Sequence, residues 1–411
     1  MAELVRIERL GARGDGVAST DAGPLFVARA LAGELVSVER NGERATLLDV
    51  LEPSSDRVAA YCPEVGRCGG CATQEFAQAP ALAWKRDLMI EALAREGVAY
   101  EGLVGPCLDA HGAGRRRATF HARRGADGRP VVGFSEARSH SVIALADCPL
   151  LAPSMARALP AARTVAATLL AKGKPLDLAV TATDTGLDLD VRGLGPLPEP
   201  MRLKLVRLAE ELDLARLSIH GETVVARRKP TLTVGRAILS PPPGGFLQAT
   251  ALGEQTLGEL ALEGVGKAKR VADLFCGSGA FALRLAERAE VYAADTEKAA
   301  ISALDAAARG AQGLKRVIAE ARDLFRRPLT FSELSRFDAV VFDPPRAGAE
   351  AQARQIAGSK VKTVVAVSCN ATTLARDAAI LIAGGYRLER ATPVDQFRHS
   401  AHVETVAVFR K

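Results

Sequence analysis

Apolar residues in the first fifty positions fall in short runs, Leu4–Ile7, Leu25–Val27, Leu35–Val38 and Thr46–Val50, separated by Gly11, Gly14, Gly16, Gly23, Gly33 and Gly42. Short β-type runs bounded by glycine read as strands, and strands this closely spaced fit a small OB-like β-barrel over residues 1–55. The period then changes. Leu82, Leu88, Met89 and Leu93 recur at helical intervals between Pro80 and Gly97, predicting an amphipathic helix over 80–96. From about 105 to 235, β-type runs return at Thr119–Ala122, Val131–Phe134, Leu178–Thr181 and Leu187–Val191, with helical stretches at 153–171 and 199–212. This is the pattern of a mixed α+β domain. Pro241-Pro-Pro-Gly-Gly245 marks a boundary, beyond which strands and helices alternate. A helix over about 252–262 precedes a strand at Arg270–Leu274, whose glycine turn leads into a helix running to about Arg288. Further strands follow at Val291–Asp295, Val317–Ala319, Asp338–Phe342 and Val365–Ser368. Such alternation predicts a Rossmann-like α/β domain. The expected organisation is a barrel over 1–55, a central domain over 56–240 and an α/β domain over 241–411, with the helix at 80–96 free to pack on the last.

Composition narrows the partners. With 411 residues, 48% apolar and 25% charged, the chain has the make-up of a globular protein. No run approaches the roughly 18 uncharged apolar residues that span a bilayer, and the start is acidic where a signal peptide is basic, so a cytoplasmic protein without a membrane partner is expected. Nothing in the chain signals an oligomer, and a monomer is the default. Lys and Arg exceed Asp and Glu by 54 to 48, a net charge of +6, which favours a polyanionic partner. Arginine clusters at Arg115-Arg116-Arg117, Arg123-Arg124, Arg227-Arg228 and Arg326-Arg327 are candidate phosphate grips; the first, opening a strand of the central domain, is the expected RNA contact. Phe26 is the only aromatic residue of the barrel region, so base stacking is not its main grip.

Three cysteines, Cys62, Cys68 and Cys71, stand five and then two residues apart among glycines. Soft thiolates this close point to a metal site that needs a fourth ligand. Cys107 and Cys148 are the candidates, and Cys148 is favoured by its place at a turn, Asp147-Cys148-Pro149. Spacing leaves four-thiolate zinc and an iron–sulfur cluster both open. In the last domain, Asp273-Leu-Phe275-Cys-Gly277-Ser-Gly279 and the strand-end Asp295 form a nucleoside-binding βαβ unit. Lacking the third glycine of a dinucleotide fingerprint, the turn suits S-adenosylmethionine better than NAD. Asp323 follows a further strand. Three other polar groups stand where apolar runs meet polar sequence: Asp343 before Pro-Pro-Arg346, Cys369 after Val-Ala-Val-Ser368, and Glu404 in His402-Val-Glu404-Thr. Ligands of open α/β sheets bind beyond strand carboxyl ends, so a thiol and two carboxylates could share one cleft. A lone cysteine is more often buried packing, which is the role expected of Cys276.

With these motifs in order, the chain closely resembles the S-adenosylmethionine-dependent RNA uridine C5-methyltransferases, in the subgroup with an N-terminal TRAM barrel and a four-cysteine [4Fe–4S] cluster. The resemblance implies that Cys62, Cys68, Cys71 and Cys148 hold the cluster. It also implies that Gln248, Phe275, Gly277, Gly279, Asp295, Asp323 and Asp343 surround the cofactor or target base. Cys369 is then the nucleophile, Glu404 the base that removes the C5 proton, and Asp343 a contact to the uracil edge. Ala280 and Thr250 stand where many relatives carry asparagine, and Ala366 replaces a common aromatic. Barrel and cluster together favour ribosomal RNA over transfer RNA. Against cytosine C5 methylation, Asp343 is followed by Pro-Pro-Arg where that family usually has a cysteine after the proline. Intact Cys369 and Glu404 speak against a non-catalytic RNA-binding protein.

Overall fold

The computed structural model describes residues 2–170 and 174–411; position 171, the end of one expected helix, lies outside them. Residues 2–52 form a six-stranded sheet, ordered Ala2–Arg6, Leu35–Asn41, Arg44–Glu52, Gly23–Val27, Gly16–Thr20, Arg9–Leu10. Val5, Ile7, Leu25, Val27, Val36 and Val38 make its small core. Its seams to the next segment join ion pairs, Arg57 with Glu34 at 2.6 Å and Arg29 with Glu75 at 2.7 Å, to an apolar cluster of Leu31, Phe76 and Trp84.

The central sheet is ordered Glu222–Ala226, Arg216–Ile219, Gly186–Arg192, Leu176–Thr183, Arg117–Arg124, Pro130–Gly133. Helices Ala158–Leu169 and Glu199–Glu211 cover it, and the alternation of Leu176, Leu178 and Val180 turns one face into their shared core.

The catalytic sheet has eight strands, ordered Val317–Ala321, Glu290–Asp295, Arg270–Leu274, Ala339–Phe342, Thr363–Ser368, Glu404–Arg410, Arg387–Asp395, Leu108–Asp109. The first five are mutually parallel, and Glu404–Arg410 runs antiparallel to both neighbours. Strands buried on both faces are nearly all apolar. Val364, Ala366, Ala407 and Phe409 supply one core, and Val365, Val367, Val406 and Val408 the other. Strand order reverses between Arg270–Leu274 and Ala339–Phe342, which opens a crevice beyond their carboxyl ends. Among the described residues no helix is long and apolar enough to cross a membrane.

One expectation changes. The helix after the glycine turn is only Ala282–Leu285 and does not reach Arg288. Helix Gln78–Arg95 sinks Met89, Ala92 and Leu93 into the core of the last domain, and Leu108–Asp109 extends its sheet. Lys85 on that helix is 1% exposed, 2.6 Å from Asp395 and 3.0 Å from the Phe397 carbonyl. Removing one partner of a buried pair strands the other's charge at a cost of about 3–5 kcal/mol. Lys85→Ala is therefore expected to lower thermal stability sharply, while Lys85→Met with Asp395→Leu restores most of it; equal melting temperatures for the single and double variants would refute this account of the joint.

Candidate active site

Register brings the chemistry together. Ser368 lies opposite Thr405 and Val367 opposite Val406, so one step beyond that ladder Cys369 and Glu404 meet from adjacent antiparallel strands. Phe342 is alongside Ala366 in the parallel pair on the other side, which sets Asp343 beside them. The Asn370 side chain caps helix Ala371–Ala383 by accepting from the Thr372 and Thr373 amides at 3.0 and 3.5 Å, and its amide donates to the Arg346 carbonyl at 3.1 Å. The loop with the thiol and the loop with Asp343 are thereby joined.

The carboxylates are also bridged. Gln248 Nε2 lies 3.4 Å from Asp343 Oδ2, and Gln248 Oε1 accepts from Gln396 Nε2 at 2.6 Å. Gln396 Nε2 lies 3.3 Å from Glu404 Oε1. Burial raises both Asp343 and Glu404 above the usual carboxylate range, with the Asp343 charge adding to the rise of Glu404 and Arg346 opposing it. Burial, followed by those two carboxylates, pushes the Cys369 thiol up to about 11. The free site thus keeps its thiol protonated and its two acids close to titrating at neutral pH.

The cofactor crevice lies beside this group. Phe275 turns with φ +61° and Gly277 with φ +52°, and a Cβ on Gly277 would meet nothing within 4 Å, so its backbone stands open to a ligand. Asp295 accepts from the Gly277 amide at 2.9 Å and from the Glu297 amide at 2.9 Å. Asp273 is fully buried, and burial, then the charge of Asp343, raises it well above its ordinary value against the pull of the Ala282 amide. Phe325 packs on Phe275 with ring centroids 5.4 Å apart, and Asp323 holds that loop by accepting from the Phe325 and Arg326 amides. Gly279 has φ +93° and packs against Leu304.

Thr250 has structural duties: it accepts from the Gly253 amide at 2.9 Å, capping helix Ala251–Val265, and donates to the Ala110 carbonyl at 2.7 Å. Cys276 is buried packing, its thiol on the Gly277 carbonyl. Cys62, Cys68, Cys71 and Cys148 line one cavity together with Arg115, whereas Cys107 is buried beside Asp395 and Lys85. Burial, then the other thiols, pushes Cys71 up to about 12. Among the described residues no group of three or more His, Cys, Asp or Glu is arranged to hold a metal ion.

The arginine triplet is engaged within the chain. Arg116 is buried, its guanidinium on Glu254 at 2.5 Å and on the Gln248 carbonyl at 3.2 Å, and Arg117 donates to the Leu247 carbonyl at 2.6 Å and lies over Phe246. These two hold the segment that presents Gln248, and Arg117 also lines an open cavity with Arg115 and Arg138. Arg115 turns to the cysteine cavity, its Nε without a partner. Arg227 and Arg228 both pair with Asp213. Gln396 went unnoticed in the sequence because a lone glutamine carries no signal until folding brings residues 248 and 404 to it.

An open parallel sheet with a cofactor crevice at its switch point, and a thiol facing two acids, defines an S-adenosylmethionine-dependent methyltransferase. The profile described as tRNA (Uracil-5-)-methyltransferase matches residues 242–411. An uncharacterized RNA methyltransferase of Brucella suis is 48% identical over 407 residues, covering 99% of this chain and 97% of that protein. The 23S rRNA (uracil(1939)-C(5))-methyltransferase of Pseudomonas fluorescens is 34% identical over 426 residues, covering 99% and 94%. The crystal structure of Pyrococcus abyssi tRNA (uracil-54, C5)-methyltransferase with S-adenosyl-L-homocysteine matches the fold over the whole of both chains, at TM-score 0.73 and 21% identity. The chain belongs to the RNA uracil-C5 methyltransferase family.

The raised groups set a pH dependence. For a reaction in which Cys369 is the nucleophile and Glu404 the base, as proposed below, the thiolate and the carboxylate are the useful forms, and both are lost as pH falls, earlier than for unperturbed groups. We expect kcat/KM to climb by about tenfold or more between pH 6.5 and 8.5, about the change a one-unit titration step produces; a flat profile over that range would show that the shifts do not govern the reaction.

Proposed function

We propose that the protein methylates C5 of a uridine in ribosomal RNA through covalent addition of Cys369 to uracil C6. The observation that carries the reading is the register that sets Cys369 against Glu404 with Asp343 at their side. Uracil C5 is too weak a nucleophile to take a methyl group unaided, and a thiolate bonded at C6 pushes electron density onto C5. S-adenosylmethionine, held beyond Phe275, Gly277 and Asp295, supplies the methyl group. Asp343, protonated or hydrogen-bonded through Gln248, steadies the charge that develops on the uracil edge. Glu404 then removes the C5 proton, the C5–C6 double bond re-forms, and Cys369 leaves as thiolate. The target base must be out of its stack to reach this buried group.

Ribosomal RNA is favoured because the Pseudomonas relative named for 23S rRNA aligns over 99% of the chain. Transfer RNA is the second reading, supported by the description of the profile that matches residues 242–411. We further propose that Cys62, Cys68, Cys71 and Cys148 hold a [4Fe–4S] cluster behind an N-terminal TRAM barrel. The support is that the four thiols line one cavity, with Arg115 beside them to complement an anionic cluster.

With labelled S-adenosylmethionine and RNA from a strain lacking the gene, the product should be 5-methyluridine in large-subunit ribosomal RNA. Label in transfer RNA selects the second reading, and 5-methylcytidine or no transfer overturns both. Glu404→Gln should slow turnover by about 10²–10⁴-fold and accumulate a methylated covalent adduct; loss of RNA binding without an adduct would make Glu404 structural. Anaerobic purification should yield a brown protein with about four irons per chain, whereas a colourless protein with one zinc would exclude the cluster.

A further inference from the structure

Gln396 is completely buried, and each of its polar atoms is committed. Its carbonyl oxygen accepts from the Ala249 amide at 2.9 Å and the Thr250 amide at 3.4 Å. An oxygen that faces two backbone N–H groups cannot be exchanged with the nitrogen, so the orientation of this amide is fixed by its neighbours. The nitrogen must then point at Gln248 Oε1 and Glu404 Oε1, at 2.6 and 3.3 Å. The turn that carries it is itself anchored: Asp395 accepts from the Phe397 amide at 2.8 Å and is paired with buried Lys85. Nothing in the methylation chemistry requires a glutamine here, and an apolar side chain of equal volume would take a partner from four polar groups, the Ala249 and Thr250 amides, Gln248 Oε1 and Glu404 Oε1.

We propose that Gln396 is a positioning residue that dedicates Glu404 Oε1 to accepting a hydrogen bond and leaves Oε2 as the atom that takes the C5 proton. The inference rests on the reading of Glu404 as the base. An N–H donor against Oε1 opposes a proton on that oxygen and favours the ionised acid, so the carboxylate is held in the form and rotation the elimination needs. In that step the C5–H bond breaks, its proton passes to Glu404 Oε2, its electron pair forms the C5–C6 double bond, and the bond from C6 to Cys369 Sγ breaks to return the thiolate. The other groups facing Glu404 do not select an oxygen in this way. Asp343 disfavours its charge, Arg346 favours it from the Asp343 loop with His402 on its guanidinium at 3.0 Å, and Asp395 on the neighbouring strand is spent on Lys85.

The test separates adduct formation from adduct breakdown in single turnovers on RNA, read by denaturing gels across pH. Gln396→Glu keeps an acceptor for the Ala249 and Thr250 amides but sets an acid against Glu404 Oε1; Gln396→Met removes the donor at similar volume. For both, the covalent adduct should form within about twofold of the wild-type rate. It should break down about tenfold more slowly at pH 7.5, with the breakdown midpoint moved up by about one pH unit, the equivalence of a tenfold change in ionised fraction. An unmoved midpoint in a folded variant overturns the proposal, as does an equal fall in formation and breakdown. Failure of both variants to fold assigns Gln396 to architecture alone and overturns it too. Wild-type protein that forms no adduct would instead bring down the functional reading on which the inference stands.

Discussion

The antiparallel ladder between Thr363–Ser368 and Glu404–Arg410 is the constraint on which the site depends. In a strand pair a shift of one residue sends every side chain to the other face, and here such a slip would separate Cys369 from Glu404. The ladder is held by burial on both sides, with valines and alanines alternating between two cores. Catalytic geometry is therefore inherited from packing: the strands cannot slide without exposing apolar residues, and the thiol and acid are placed where the strands end.

Around that ladder the chain spends its buried polar groups on holding segments at their stations. Lys85 reaches from the helix preceding the central sheet to Asp395. Arg116 and Arg117 reach from the central sheet to the backbone of residues 247 and 248 and to Glu254. The cysteine segment joins in, since the Ala72 and Thr73 amides donate to the His399 carbonyl at 2.7 and 3.2 Å and Tyr61 meets the His399 ring at 2.8 Å. The turn at 395–404 is thus gripped from the cysteine loop, the helix and the Gln248 segment at once. Such preorganisation suits the proposed reaction, in which these groups would meet a flipped base with little rearrangement.

The strands leading to Asp343 and Cys369 were legible because they are short apolar runs that stop at polar residues, whereas Glu404 opens its strand and reaches them only because that strand runs antiparallel. The strand Arg387–Asp395 was not legible, because three charged residues, Arg387, Glu389 and Arg390, surround Leu388 and a register shift between Leu388 and Arg390 breaks the alternation. Arg116 looked like a phosphate grip because its partner Glu254 lies 138 residues away, and no local pattern announces a buried ion pair at that separation. The choice of Cys148 over Cys107 could be made from its turn, but only the fold sets Cys107 against Lys85. Gln396 belongs to the same class as Arg116: its meaning is wholly in tertiary contacts.

The central claim is that Cys369 becomes bonded to uracil C6. Incubating the wild-type protein with S-adenosylmethionine and RNA containing 5-fluorouridine, where no C5 proton can be removed, should trap that bond, and digestion with mass spectrometry should place the methylated fluorouridine on the peptide containing Cys369. A crosslink at any other cysteine, or methylated RNA with no crosslink at all, would contradict the account.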